Sequence, residues 1–220
     1  MFSGLIEYRG AVTGLDAQPD GGVKLAVRCE GVEEEGPQPK DSIAVDGICL
    51  TATAVSGEIV SFEVIPETLA RSSLAERAVG ELVNVEYSLR LGDRLGGHFV
   101  YGHIDAAPRV LLRTREGQGE RLRVELPRWL APMIAEKGFV ALDGVSLTVA
   151  AVDKKWFEVA LIPETLSRTT LGARLPGNHI NLEVDPLARY AAAVVQNYVM
   201  LTLRHGAAHL AQDCASRRQE

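Results

Sequence analysis

Two short phrases carry the side chains with the widest chemical range. Asp46-Gly47-Ile48-Cys49-Leu50-Thr51 and Asp143-Gly144-Val145-Ser146-Leu147-Thr148 share one pattern, Asp-Gly-X-Cys/Ser-Leu-Thr. The glycine permits a bend that a Cβ resists, and the fourth and sixth positions then point to the same face of an extended strand. Cys49 with Thr51, and Ser146 with Thr148, would each line a wall with hydrogen-bonding groups. The thiol of Cys49 suits a nucleophile, a soft contact for a ligand ring, or plain packing. Asp143 and Ser146, three apart across a glycine turn, have the spacing of a dyad in which a carboxylate polarises a hydroxyl. The plainer readings are that each Asp caps its own turn and that Thr51 and Thr148 are simple β-formers.

Ile65-Pro66-Glu67-Thr68-Leu69 returns as Ile162-Pro163-Glu164-Thr165-Leu166 at the same offset. Pro-Glu-Thr at a strand end can offer an N–H, a carboxylate and a hydroxyl to a pyrimidinedione edge or a polyol. It can equally start a helix, with Glu67 and Glu164 complementing the dipole. Of the five histidines, His103 stands where the first copy has Leu5, so the second copy gains an ionisable imidazole, a side chain suited to proton transfer. His98, close by, reads as well as a structural histidine. His205 and His209 lack a carboxylate or third ligand nearby and are read as surface, so no metal is expected.

These residues need elements to hold them, and the chain writes those elements twice. Gly80 with Val83-Asn84-Val85-Glu86 returns as Gly177 with Ile180-Asn181-Leu182-Glu183, and Gly4-Leu5-Ile6-Glu7 finds a counterpart in Gly102-His103-Ile104-Asp105. A repeat this long means duplicated domains rather than a solenoid. Val23 to Cys29 and Val83 to Tyr87 alternate with period two, as half-buried strands do. Leu50–Val55 and Ile59–Val64 flank Ser56-Gly57-Glu58, and 147–152 and 156–161 flank 153–155, which makes a hairpin in each copy. Leu69–Arg77 and Leu166–Arg174 suit one or two helical turns. The expected fold is all-β: two tandem six-stranded antiparallel Greek-key barrels over 1–97 and 98–185, joined at a Gly96-Gly97 hinge.

Beyond Asp185 the period changes. Leu187, Ala191, Val194, Tyr198 and Leu201 make a narrow apolar stripe on a helix over 186–204, with Asp185 as N-cap and Pro186 at its first position. Attached to neither repeat, this reads as an association helix, with a frayed tail over 205–220. The 220 residues are 46% hydrophobic and 24% charged, ample for two domains. A net charge of −6, and the lack of any Lys/Arg block, argue against nucleic acid as partner. The absence of a leader or a long apolar run makes the cytoplasm the expectation, with no membrane partner. Cys29, Cys49 and Cys214 are odd in number and far apart, hence free thiols. The acidic run 31–37 reads as a solvated loop.

Met1-Phe2-Ser3-Gly4-Leu5-Ile6-Glu7, the two Gly-X-Cys/Ser-Leu-Thr phrases, the doubled Ile-Pro-Glu-Thr-Leu and the junction Gly96-Gly97-His98-Phe99-Val100-Tyr101-Gly102-His103-Ile104 resemble riboflavin synthase of the alpha-chain type, over roughly residues 1 to 190. The resemblance implies two lumazine-binding barrels and a C-terminal helix that joins three chains. It also implies conversion of two 6,7-dimethyl-8-ribityllumazine molecules into riboflavin and a ribitylaminopyrimidinedione, with no metal and no organic cofactor. Carried over by motif, the first pocket comprises Gly4, Leu5, Ile6, Ser42, Cys49, Leu50, Thr51, Glu63, Val64, Ile65, Pro66, Glu67 and Thr68. The second comprises Gly102, His103, Ile104, Lys137, Ser146, Leu147, Thr148, Ala160, Leu161, Ile162, Pro163, Glu164 and Thr165, with Asp185 near the ribityl chain. Ser146 with Asp143, then His103 and Cys49, are the catalytic candidates. The family commonly has Thr at Ser3 and Asp-Gly at Asp105-Ala106. A non-catalytic lumazine- or flavin-binding antenna protein of the same fold is the alternative.

Overall fold

Alternating apolar residues build twelve strands among the residues described by the computed structural model, which are 1–29 and 36–216, with side chains to residue 200 and at Thr202. The first copy contributes β1 (Tyr8–Ala17), β2 (Val23–Arg28), β3 (Ser42–Val45), β4 (Ile48–Ser56), β5 (Ile59–Val64) and β6 (Leu82–Tyr87). The second contributes β7 (Val110–Glu116), β8 (Gly119–Glu125), β9 (Phe139–Leu142), β10 (Val145–Val152), β11 (Trp156–Leu161) and β12 (Leu182–Val184). The first six close into a barrel in the order β1-β2-β5-β4-β3-β6, all pairs antiparallel. Because β2 pairs with β5 and the chain returns through β4 and β3, the path is a Greek key.

The second copy repeats every neighbour relation, β12-β9-β10-β11-β8-β7, except the last. Where β1 and β6 pair over four residues, the corresponding edge holds only isolated bridges, Ala106 to Leu182 and Arg109 to His179. Pro108 sits between those bridges and has no N–H to give a ladder. The second unit is therefore a six-stranded sheet drawn together at its edge rather than a fully laddered barrel.

The repeated Asp-Gly phrase is itself a hairpin turn. Asp46 and Gly47 have φ of 44° and 77°, Asp143 and Gly144 of 44° and 80°. Two successive left-handed residues between β3 and β4, and between β9 and β10, make the tight turn whose twist matches paired strands and for which Asp-Gly is a favoured sequence. Alternation then sends Ile48, Leu50 and Ala52 into the first core and leaves Cys49 half-buried and Thr51 exposed on the outer face. Leu25, Phe62, Val85 and their neighbours fill that core; Leu122, Phe157, Leu182 and theirs fill the second.

Helical turns begin on the prolines themselves, α1 (Pro66–Arg71) and α2 (Pro163–Arg168), earlier than the segments starting at Leu69 and Leu166. The ring fixes φ for a first helical position and its missing N–H is no loss there. Each is followed by a 3-10 turn, Ser73–Glu76 and Thr170–Ala173, capped by Ser72 and Thr169. As a separate compact unit, α3 spans Pro186–Ser216, past residue 204 where the apolar stripe gives out. Its Leu187, Tyr190, Val194 and Tyr198 are exposed. No helix among the described residues is long and apolar enough to cross a membrane. The acidic loop lies mostly outside the described residues, as do the side chains of His205, His209 and Cys214.

Candidate active site

The two Asp-Gly turns meet back to back. A Cβ on Gly47 would lie 2.5 Å from the Gly144 nitrogen, and one on Gly144 would lie 2.8 Å from the Gly47 nitrogen. Each aspartate turns inward. Asp46 accepts from the Asn84 N–H at 2.8 Å and from Arg77 at 3.0 Å; Asp143 accepts from the Asn181 N–H at 2.8 Å and from Arg174 at 2.6 Å. The asparagines stitch the copies together. Asn84 donates to the Asp143 carbonyl and accepts from the Thr170 N–H, while Asn181 donates to the Asp46 carbonyl and accepts from the Ser73 N–H. The dyad expected between Asp143 and Ser146 is not formed, because the Asp143 carboxylate is consumed by Asn181 and Arg174.

Asn84 and Glu86 lie on a strand whose alternation suggests a solvated face, yet both are buried. Asn84 is covered by Asp143 and Thr170 of the second copy, and Glu86 by the turn at Ser3 and Gly4. Asp46 shows the electrostatic consequence. Burial, and then the nearby Asp143 charge, raise its pKa to about 6 despite Arg77 and Arg174.

Cys49 and Ser146 are held by crossed loops. The Ser146 N–H donates to the Gly4 carbonyl at 2.8 Å, and the Cys49 N–H to the Gly102 carbonyl at 2.9 Å. Both glycines have φ of 77°, and a Cβ on either would stand 2.5 Å from the Cβ of the residue it faces. Ile6 packs on the second core and Ile104 on the first. Each opening segment thus serves the other copy's sheet. Gly97, expected as a hinge, is instead a close approach: a Cβ there would run into the Ser3 carbonyl and stand 2.8 Å from Ser146 Oγ.

The partner of Ser146 is His98. Nδ1 lies 2.7 Å from Ser146 Oγ, the ring stacks on Phe139 at 5.1 Å and 8°, and Nε2 is buried with no partner in the structure. Burial lowers its pKa from the usual imidazole value, and the charge of Asp185 opposes this only in part. A buried neutral imidazole against a hydroxyl is the arrangement of a base and the group it activates. His103, by contrast, is exposed and edge-on to Tyr101.

The remaining candidates divide between open walls and the cores. Ser42 pairs with Thr51 across β3 and β4, Thr148 is exposed on β10, and Ile65 and Ile162 are 61% and 60% exposed. Leu50, Leu147, Val64 and Leu161 face the cores. Glu67 pairs with Arg71 at 2.9 Å and Glu164 with Arg168, each within its own helical turn. Lys137 has φ 66° and its N–H bonds Val149; Lys40, not anticipated, is its counterpart with φ 83°. A 370 Å³ cavity takes in Glu63, Val64 and Ile65 beside Lys24 and Asp20. A larger one of 550 Å³ opens over Arg77, Arg174 and His179, and of the repeated motifs it takes in only Leu166.

Comparison with known proteins agrees with this doubled plan. The lumazine binding domain model matches twice, over residues 3–88 and 101–185. Riboflavin synthase of Mycobacterium tuberculosis is 42% identical over 202 residues, covering 90% of this chain and 99% of that protein. That of Brucella abortus is 39% identical over 202 residues, covering 89% and 98%. The chain belongs to the riboflavin synthase family. Among solved structures, LumP complexed with 6,7-dimethyl-8-(1'-D-ribityl) lumazine has a TM-score of 0.75 at 21% identity, covering 84% of this chain and 99% of that one. At that identity it speaks for the fold.

For a riboflavin synthase family member, the residues that motif reading passes over are informative. Glu86 accepts from the N–H groups of Ser3 at 2.7 Å and Gly4 at 3.0 Å and from the Ser3 hydroxyl at 2.7 Å; Glu183 accepts from the N–H groups of Tyr101 at 2.7 Å and Gly102 at 2.8 Å. Their signal in the sequence is that both recur at one offset, with Asn84 and Asn181. Spacing alone does not reveal that a turn remote in sequence covers each glutamate and that the opposite copy holds each asparagine.

Proposed function

We propose that this chain catalyses the dismutation of two 6,7-dimethyl-8-ribityllumazine molecules, passing a four-carbon unit from one to the other to yield riboflavin and 5-amino-6-(D-ribitylamino)uracil. It is a transferase of the riboflavin synthase type. The observation that carries the reading is the 42% identity to riboflavin synthase across nearly the whole chain. Its geometric support is a pair of similar walls, Cys49 with Thr51 and Ser146 with Thr148. A reaction between two copies of one molecule needs two like pockets face to face, and proximity is the largest effect such a site supplies.

In this reading the acidic 7-methyl group of one lumazine loses its proton to the His98–Ser146 pair. Cys49 favours addition at the second ring, Thr51, Thr148 and the Pro-Glu-Thr turns hold the heterocycles, and His103 carries protons to solvent. Asp143 acts by fixing the turn before Ser146 through Arg174 and Asn181. The walls are open, with Leu5, Ile65 and Ile162 exposed. This suits a site completed by the second sheet of a neighbouring copy, in a homotrimer joined through α3 and working in the cytoplasm. Incubation with the lumazine should produce riboflavin absorbance, one product molecule for every two substrates consumed. Tight binding without turnover would make the protein a carrier.

A further inference from the structure

Two buried carboxylates lie outside every motif with a chemical reading, and each is wired to the opposite half of the molecule. Glu86 belongs to β6 of the first barrel. Through its bonds to Ser3 and Gly4 it fixes an N-terminal turn whose own acceptors are spent on the second half. The Gly4 carbonyl takes the Ser146 N–H at 2.8 Å, and the Ser3 carbonyl takes the His98 N–H at 3.1 Å. Glu183 belongs to β12 of the second sheet. It fixes Tyr101 and Gly102, and the Gly102 carbonyl takes the Cys49 N–H at 2.9 Å in the first barrel.

We propose that Glu86 and Glu183 are crossed positioning residues: Glu86 sets the His98–Ser146 pair, and Glu183 sets Cys49. Each carboxylate fits its turn, and the turn has no other acceptor within reach. Glu86 and Glu183 are 2% and 1% exposed, so the N–H groups they accept cannot turn to bulk water without moving the loop. A bidentate carboxylate takes both N–H groups of a turn at once, and an amide of the same size takes one and opposes the other with its NH2. Movement of the loop is transmitted because Gly4 and Gly102 have no slack, packed as they are against Ser146 and Cys49. Burial is also the leading influence on Glu86, raising its pKa against the hydrogen bonds from Ser3 and Gly4 that lower it.

This inference rests on the proposed reaction for its catalytic meaning but not for its test. Glu86→Gln and Glu183→Gln are compared with the parent chain by three readouts. The first is the alkylation rate of Cys49, followed by mass spectrometry of its peptide, which separates it from Cys29 and Cys214. The second is the His98 imidazole titration by NMR. The third is steady-state riboflavin formation. Glu183→Gln should change Cys49 alkylation at least threefold and leave the His98 titration in place; Glu86→Gln should shift His98 and leave Cys49 alkylation unchanged. Each should lower turnover about 10- to 100-fold with little change in KM, the usual size of effect when a group that orients a reacting residue is lost.

Ser3→Ala removes only one bond to Glu86. It should move His98 in the same direction by less, and it serves if Glu86→Gln fails to fold. A chain that makes no riboflavin but keeps the crossed pattern of the first two readouts loses the reaction and keeps the wiring. Equal effects of both variants on both readouts, or effects on the same-side residue, overturn the proposal.

Discussion

Ser146 and His98 form the contact on which the proposed chemistry turns, and each lacks a substitute for the other. His98 Nε2 is already without a partner, so removing the Ser146 hydroxyl leaves the ring with neither nitrogen bonded by its side-chain neighbours. Ser146→Ala should lower turnover by about 100-fold or more, the range of a lost proton-transfer group, while lumazine affinity changes less than about threefold. Parallel measurement of kcat and of binding by fluorescence checks this; comparable losses in both would remove Ser146 from the chemistry. The pH sense follows from burial. His98 titrates lower in the folded chain than in the unfolded one, so its neutral form contributes stability at neutral pH that is lost as pH falls through 6.5 toward the folded value. His98→Gln should therefore narrow the gap in melting temperature to the parent between pH 7 and pH 5.

At this scale the sequence was partly legible. It marked Cys49 and Ser146 as the informative difference between the copies, and both stand at equivalent points in the structure. It assigned Ser146 the wrong partner because three-residue spacing across a turn says nothing of which way a carboxylate faces. The Arg174 and Asn181 that claim the Asp143 carboxylate stand 31 and 38 residues further along the chain. His98 stood beside the marked His103, and spacing alone did not reveal that the N-terminal turn would fold it against β10.

Among the elements, the paired Asp-Gly turns are the least forgiving. Gly144→Ala places a Cβ in left-handed backbone, at about 1–2 kcal/mol, and against the facing Gly47, where neither backbone can yield. It should lower the melting temperature by several degrees; Gly57→Ala, also left-handed but in open space, should cost only the backbone part. Thermal denaturation of the pair separates strain from collision. Asp46, in the same turn, gives a pH signature of opposite sign to His98. Its folded pKa of about 6 lies above the 3.8 of an ordinary carboxyl, so the folded state holds the extra proton. The associated stability is full below 3.8 and is lost as pH rises through 6. The stability difference between the parent and Asp46→Asn should shift against the parent from pH 4 to pH 7, and a flat difference would show that Arg77 and Arg174 outweigh burial. Strands and hairpins were readable from alternation and turn residues. The weakened closing edge of the second sheet, where Pro108 interrupts the ladder, and the burial of Asn84 under the second copy and of Glu86 under the N-terminal turn were not, since each depends on pairing between residues far apart in the chain.

For the whole molecule, the doubling means that one strand pattern is used to build two walls, with a single polar seam between them. Shortening the chain after Asp185 removes α3 and leaves that seam intact. The truncated protein should still bind lumazine but should sediment as a smaller species and lose most of its turnover. Analytical ultracentrifugation beside an activity assay tests this proposed role of α3, and an assembly that survives truncation would assign association to the sheets instead.

The crossed loops also order events in time. As the chain leaves the ribosome, Ser3 and Gly4 appear before Glu86, and Ser146 later still. Until β10 exists, the Gly4 carbonyl has no Ser146 N–H to accept from and Ile6 has no second core to join, so the turn that Glu86 holds stays incompletely seated after the first barrel has closed around its own strands. Residues made before either barrel are thus seated only after both, and the first half cannot complete its mature form before the second half is made.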